Sequence, residues 1–217
     1  MRLPHELAPA HHRNVRSYAV LTDEHLARLA ELADKDHATF TAPRKRPEYA
    51  DRRVAAVLAQ GAAQHYVDCR QKRTDPNGVK DLDVWTFYAA IPGGRFPAYR
   101  RETHADFGPS KLGRQTYDMQ RAGRPSEQAR WTKWSRYSGR RVDFLMRPLP
   151  VDPQAPLDEA VEAITAWLRD GAASEAAEPP SSWYLAQKAV VLIDPAERRG
   201  EVVWPVLVGR DWRTGTP

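Results

Sequence analysis

Apolar positions along the chain switch between helical and alternating spacing, and each switch marks an element. From Thr22 to Ala38, Leu26, Leu29, Ala30 and Ala33 recur at helical spacing, and Thr22 is a suitable N-cap. The basic, proline-bearing "TAPRKRPEY" then stops this helix. Arg53 to Cys69 admits two readings. Either Val54–Leu58 is a short buried strand and Gly61 turns it into a helix over Ala62–Cys69, or the whole run is one helix with an internal glycine. "RQKRTDPNG" is loop, because Asp-Pro and Asn-Gly both form turns.

The next run, Leu82 to Ala90, reads as a strand closed by "IPGG". Residues 95–139 carry many turn signals and little periodicity, with one helix expected near "PSEQARWTKW", capped by Ser126. "RRVDFLMRPLP" alternates cleanly: Arg141, Asp143, Leu145 and Arg147 take one side, and Val142, Phe144 and Met146 the other. Leu157 to Arg169 is a helix with Leu157, Val161, Ile164 and Leu168 on one face. After the small-residue linker "DGAASEAAEPPSS", the runs "KAVVLID" and "EVVWPVLV" predict a β-hairpin. Strands and helices so interleaved predict an α/β (α+β) fold, a mixed β-sheet flanked by helices.

Composition narrows the class. The chain has 217 residues, 41% of them hydrophobic, with 18 prolines and one cysteine, Cys69. No apolar run approaches the roughly 20 residues that span a bilayer, and the N-terminus lacks a signal-peptide core. With no internal disulfide available, a cytoplasmic protein is expected. The net charge of +5 is unevenly spread: Arg95 to Arg141 holds twelve Arg/Lys against four Asp/Glu. That basic segment suits a phosphate-rich partner, and a solvated arginine-rich loop would look the same.

The chemistry-bearing pattern lies in "KDLDVWTFY". Asp81 and Asp83 stand two positions apart at a strand start, so their side chains point the same way, with Cα atoms about 6.5–7 Å apart. Asp143 lies on the polar side of a later strand. If those strands are neighbours, three carboxylates converge, and such a group needs a raised pKa or a counter-charge. Mg²⁺ meets that need with oxygen ligands and completes its shell with phosphate oxygens. The plainer reading pairs the acids with local bases: Lys80 or nearby arginines for the first two, Arg140 or Arg141 for Asp143.

"QGAAQHY", "KDLDVWTFY" and "RRVDFLMR", in that order, resemble the three-part signature of the DNA polymerase β-like nucleotidyltransferase superfamily. In that signature a Gly-Gly or Gly-Ser opens a helix, an acidic–apolar–acidic pair follows on the next strand, and a third acid sits on a later strand. Here Ala62 stands where the second glycine or serine is usual. The resemblance, over roughly residues 50–150, implies a nucleotidyltransferase-like core that transfers a nucleoside monophosphate from an NTP to a hydroxyl. It implies two Mg²⁺ ions, with Mn²⁺ as a substitute, held by Asp81, Asp83 and Asp143. Asp143 would also help deprotonate the acceptor. Gly61 and Ala62 would meet the triphosphate at a helix N-terminus, with Lys80 and Arg141 as further phosphate contacts.

On this reading residues 1–49 are a helical extension and linker. Residues 50–150 are the core, with a long basic insertion at 93–139. Residues 151–217 pack a helix and hairpin on it. RNA or another polyanion is the expected acceptor. The competing reading is a catalytically degenerate module of the same fold that binds nucleic acid or a protein partner, of toxin–antitoxin or phage-defence type. A nuclease commonly places a lysine soon after its strand acid, and "DLDVWTFY" has none. His65 and Cys69 read as structural, and His11–His12 does not have zinc-site spacing. Trp131, Trp134 and Tyr137 among arginines read either as a base-stacking surface or as a core-facing stripe.

Overall fold

The apolar stripes bury as the faces of a single sheet and its helices. The structure, a computed structural model, describes residues 17–73, 78–105, 107 and 140–205. Helix α1 (Asp23–Phe40) buries Leu26, Leu29, Ala30 and Ala33, and runs past Ala38 because Phe40 is itself buried. At its start His25 Nδ1 accepts the Thr22 backbone N–H at 3.0 Å. The ambiguous run resolves into strand β1 (Arg53–Ala59) followed at once by helix α2 (Gln60–Arg70). Val57 and Leu58 have strand neighbours on both sides, which a helix cannot offer, and this decides for the strand.

Strands β2 (Leu82–Ala89), β3 (Arg100–Ala105) and β4 (Arg140–Leu149) follow. After them come helices α3 (Leu157–Ala172) and α4 (Ser181–Ala186), then strands β5 (Val190–Asp194) and β6 (Val202–Trp204). The sheet runs β3-β4-β2-β1-β5-β6. Strands β2 and β4 are parallel and the other neighbours antiparallel, so the sheet is mixed. The C-terminal hairpin thus lengthens the sheet beyond β1.

Alternation along the strands divides the core. Leu58, Leu82, Val84, Val142 and Phe144 pack toward Leu26, Leu29 and Tyr66 of α1 and α2. Val57, Trp85, Phe87 and Leu192 pack toward Ile164, Leu168 and Leu185 of α3 and α4. Trp167 closes that second layer edge-on to Phe87, ring centroids 5.6 Å apart. An aromatic cluster of Phe40, Tyr49 and Tyr88 with Met146 fills the end of the sheet where α1 stops. Among the described residues no helix is long and apolar enough to cross a membrane.

Two elements were absent from the sequence reading, and the reasons are physical. Strand β3, "RRETHA", has no apolar alternation because its charges are paired instead of buried in oil. Arg101 reaches the fully buried Asp36 of α1, which also accepts the Tyr99 hydroxyl at 2.9 Å. Arg100 and Glu102, on the other face, meet partners on β4. Helix α4 is too short to show a period. The helix expected near Ser126, the stripe Trp131–Trp134–Tyr137, and the rest of the basic insertion from Gly108 to Gly139 lie outside the described residues.

The turn into β2 depends on Gly78. Its φ of +58° is unfavourable for any residue with a Cβ, and a Cβ there would lie 2.7 Å from the Ser17 carbonyl oxygen. Ser17 and Val79 exchange two backbone hydrogen bonds of 2.7 Å, which tie the N-terminal segment to the start of β2. Gly78→Ala should therefore destabilise the fold by about 1–3 kcal/mol in urea unfolding. Gly93→Ala, at φ +70° but with nothing within 4 Å of its Cβ, should cost less. Equal losses at the two positions would contradict this account.

Candidate functional site

Parallel pairing of β2 with β4 sets Asp83 directly opposite Asp143. In-register residues on adjacent parallel strands point to the same face, with strands about 4.8 Å apart. Asp81 immediately precedes β2, two residues from Asp83. On the far side of β2, Asp83 pairs with Ala59, the last residue of β1, and α2 begins at the next residue. One end of the sheet centre therefore collects the three predicted acids and a helix N-terminus. A fourth acid joins them: Glu102 of β3 lies opposite Asp143. No sequence motif marked Glu102, because its strand was not recognised.

Electrostatics show how closely these groups interact. Burial is the first cause that pushes the Asp83 carboxyl up to about 7, followed by the charges of Asp81 and Asp143, and Arg141 and Arg100 oppose the shift. Asp143 is buried at 3% exposure, but it is not bare. Arg141 grips it from Nη2 at 2.9 and 3.0 Å and from Nε at 3.1 Å, and Arg100 Nη2 approaches at 3.3 Å. The same Arg141 Nη2 lies 3.0 Å from Glu102. Burial tends to lower the Arg141 pKa, but Asp143, Glu102 and Asp81 together hold it above the ordinary arginine value.

Arg141, expected to meet phosphate, is thus engaged as the clamp between Asp143 and Glu102. That is the local pairing its strand spacing allowed. Arg140 is instead fully buried and donates to the Lys80 carbonyl at 3.2 Å, bracing the approach to β2. The Lys80 side chain is half-buried at that turn.

At the β1–α2 junction the left-handed backbone falls on Gln60, at φ +59°, and not on Gly61. A non-glycine residue held there carries strain of order 1–3 kcal/mol. Gly61 occupies the first turn of α2, and its open side faces Lys188: a Cβ at Gly61 would lie 3.9 Å from the Lys188 Nζ. Lys188 is exposed just before β5, and its remoteness in sequence hid it. Ala62 is 1% exposed within the apolar layer under α1, so contact with a ligand is left to its backbone. The α2 N-terminus has no side-chain cap, and its first amide groups and dipole favour an anion. His65 is buried, and its Nε2 donates to the Ala19 carbonyl oxygen at 2.9 Å.

The donor set, carboxylates alone, is that of a hard divalent cation, and at Asp83 the nearby Arg141 and Arg100 do not outweigh burial and the charges of Asp81 and Asp143. As placed, however, no three His, Cys, Asp or Glu side chains among the described residues stand close enough to hold one ion. Asp143 would have to exchange Arg141 and Arg100 for a cation.

A pH dependence follows. Between about pH 4 and pH 7 folded Asp83 keeps a proton that the unfolded chain releases, so stability falls as pH rises through this window. Asp83→Asn should therefore be more stable than the wild type at pH 7.5. The gain should be about 1–3 kcal/mol, discounted from the full shift because the carboxyl is partly exposed, and it should vanish toward pH 4. Thermal melting across pH checks this; a variant no more stable at pH 7.5 contradicts it.

No protein-family model, curated protein or solved structure matches the chain.

Proposed function

We propose that the protein is a metal-dependent nucleotidyltransferase with a nucleotidyltransferase-like core, passing a nucleoside monophosphate from an NTP to a hydroxyl, with RNA as the favoured acceptor class. The observation that carries this reading is the Asp83–Asp143 pair on parallel strands, beside Asp81 and next to the point where α2 begins. Bound Mg²⁺, on this reading held by Asp81, Asp83 and Asp143, would neutralise the acids and polarise the phosphoryl group.

The chain's own groups have distinct tasks in this proposal. The amide groups at the start of α2, near Gly61, receive phosphate oxygens, and Lys188 adds a cation on the same side. Asp143, once released from Arg141, accepts the proton of the acceptor hydroxyl. Arg141 and Arg100, released in turn, stay within reach of developing negative charge.

A second reading has its own support. The grip of Arg141 and Arg100 on Asp143 neutralises the site without a cation, as expected of a module that has lost turnover and only binds.

Labelled NTPs, Mg²⁺ or Mn²⁺ and total RNA distinguish the two. The transferase reading predicts label transfer that falls at least about a hundredfold in Asp81→Asn/Asp83→Asn, since several kcal/mol of charge stabilisation are removed. It also predicts that Mg²⁺ raises the melting temperature of the wild type at pH 7.5 but not of the double variant. Salt-sensitive RNA binding that persists in the double variant, with no transfer by the wild type, supports the binding module instead.

A further inference from the structure

A second cationic feature lies further along β4, apart from the carboxylates. Arg46, before the short helical turn Pro47–Tyr49, Arg95, between β2 and β3, and Arg147 of β4 line one open cleft of about 660 Å³. The walls between them are Phe96, Pro97 and Pro148, and no acidic residue is among the described residues that line it. Three arginines from three distant stretches of sequence meet at one cavity. Like charges repel, and an anion in the cleft would offset that repulsion.

Arg147 is the most informative of the three. Its guanidinium is half-buried and stacks over the Trp85 ring at 4.9 Å. Nε donates to the Ser181 hydroxyl at 3.0 Å, and Nη1 donates to the Met146 carbonyl at 2.9 Å. Both partners are neutral, and no carboxylate offsets the charge; burial alone draws its pKa below the arginine value. Three of its contacts fix the plane of the fork, while Nη2 has no protein partner among the described residues. Arg95 is exposed and has no ion pair among the described residues. Arg46 has only a loose one, with Glu48 at 3.6 Å. By contrast Arg53, Arg101, Arg141 and Arg198 are all closely matched to acids.

The remaining wall adds a size and a shape. Phe96 is held by Tyr49 and Phe40, ring centroids 5.1 and 6.2 Å away, so it is a fixed apolar surface and not a loose side chain. The cleft volume is within the usual range for small-molecule sites. Arginine presents a planar fork that matches phosphate oxygens two at a time. We infer that this cleft binds a phosphorylated small molecule of mononucleotide size, its phosphate held by Arg46, Arg95 and Arg147 and its flat apolar part against Phe96 and the prolines. Arg147 is four residues beyond Asp143, about 13 Å along the strand, so the cleft is distinct from the carboxylate site. The inference does not depend on the transferase reading.

The test uses the full chain in EDTA, so that cation-dependent binding at the carboxylates is silent. AMP and inorganic phosphate are titrated calorimetrically. AMP should saturate one site, and phosphate should compete with it more weakly. Arg46→Ala and Arg95→Ala, both at exposed positions, should each weaken AMP about tenfold with unchanged melting temperature. Arg147→Lys should weaken it as well, because an ammonium cannot replace the fork. Asp81→Asn/Asp83→Asn should bind AMP as the wild type does. Undiminished AMP binding in Arg46→Ala and Arg95→Ala would overturn the inference, as would loss of binding in the Asp81→Asn/Asp83→Asn variant. A dT oligonucleotide that binds where AMP does not would also overturn it, since the cleft would then track a polymer backbone.

Discussion

Negative charge held at the junction of two parallel strands is the constraint around which the centre of this protein is arranged. Pairing β2 with β4 in parallel brings Asp83 and Asp143 to one face, with Asp81 and Glu102 beside them. Such a cluster is unstable unless something answers it. Two answers are already present in the fold. Asp83 holds a proton to near neutral pH, and Arg141 with Arg100 closes on Asp143. On the proposed function, a cation and a triphosphate would take the place of both answers.

The surrounding architecture serves this end of the sheet. Strand β1 stops at Ala59, beside Asp83, and a strained Gln60 turns the chain directly into α2. Gly78 and the Ser17–Val79 bridge fix the entry to β2 from the other side. The two apolar layers pack behind these points and leave the polar side chains at the margin of the core. Strand β3 completes the sheet edge with charges matched on both faces: Arg101 to Asp36, and Arg100 and Glu102 to the residues of β4.

What the sequence revealed and concealed follows from which forces have a period. Apolar burial repeats with the element, so α1, β2, β4, α3 and the C-terminal hairpin were legible from residues such as Leu29, Val84, Phe144, Ile164 and Val191. The same alternation placed Asp143 on the polar side of its strand, opposite Val142 and Phe144. Charge pairing has no period, so β3 and the role of Glu102 were invisible. The spacing of Arg141 and Asp143 allowed either a phosphate contact or a local ion pair, and only the geometry of the two strands favoured the pair. Gly61 was read as the turning residue because glycine tolerates that backbone best, yet the strain falls on Gln60. The convergence of Arg46, Arg95 and Arg147 depends on contacts between segments about fifty residues apart, which no local pattern encodes.

The central claim is that burial and the carboxylates of Asp81 and Asp143 keep a proton on Asp83 against the pull of Arg141 and Arg100, and that the proposed cation would displace it. Carboxyl ¹³C NMR of Asp83, assigned through the loss of its signal in Asp83→Asn, measures this directly. The account predicts a titration midpoint of about 7 in metal-free buffer, moving toward the ordinary aspartate range when Mg²⁺ is added. A midpoint near 4 that ignores Mg²⁺ would contradict it.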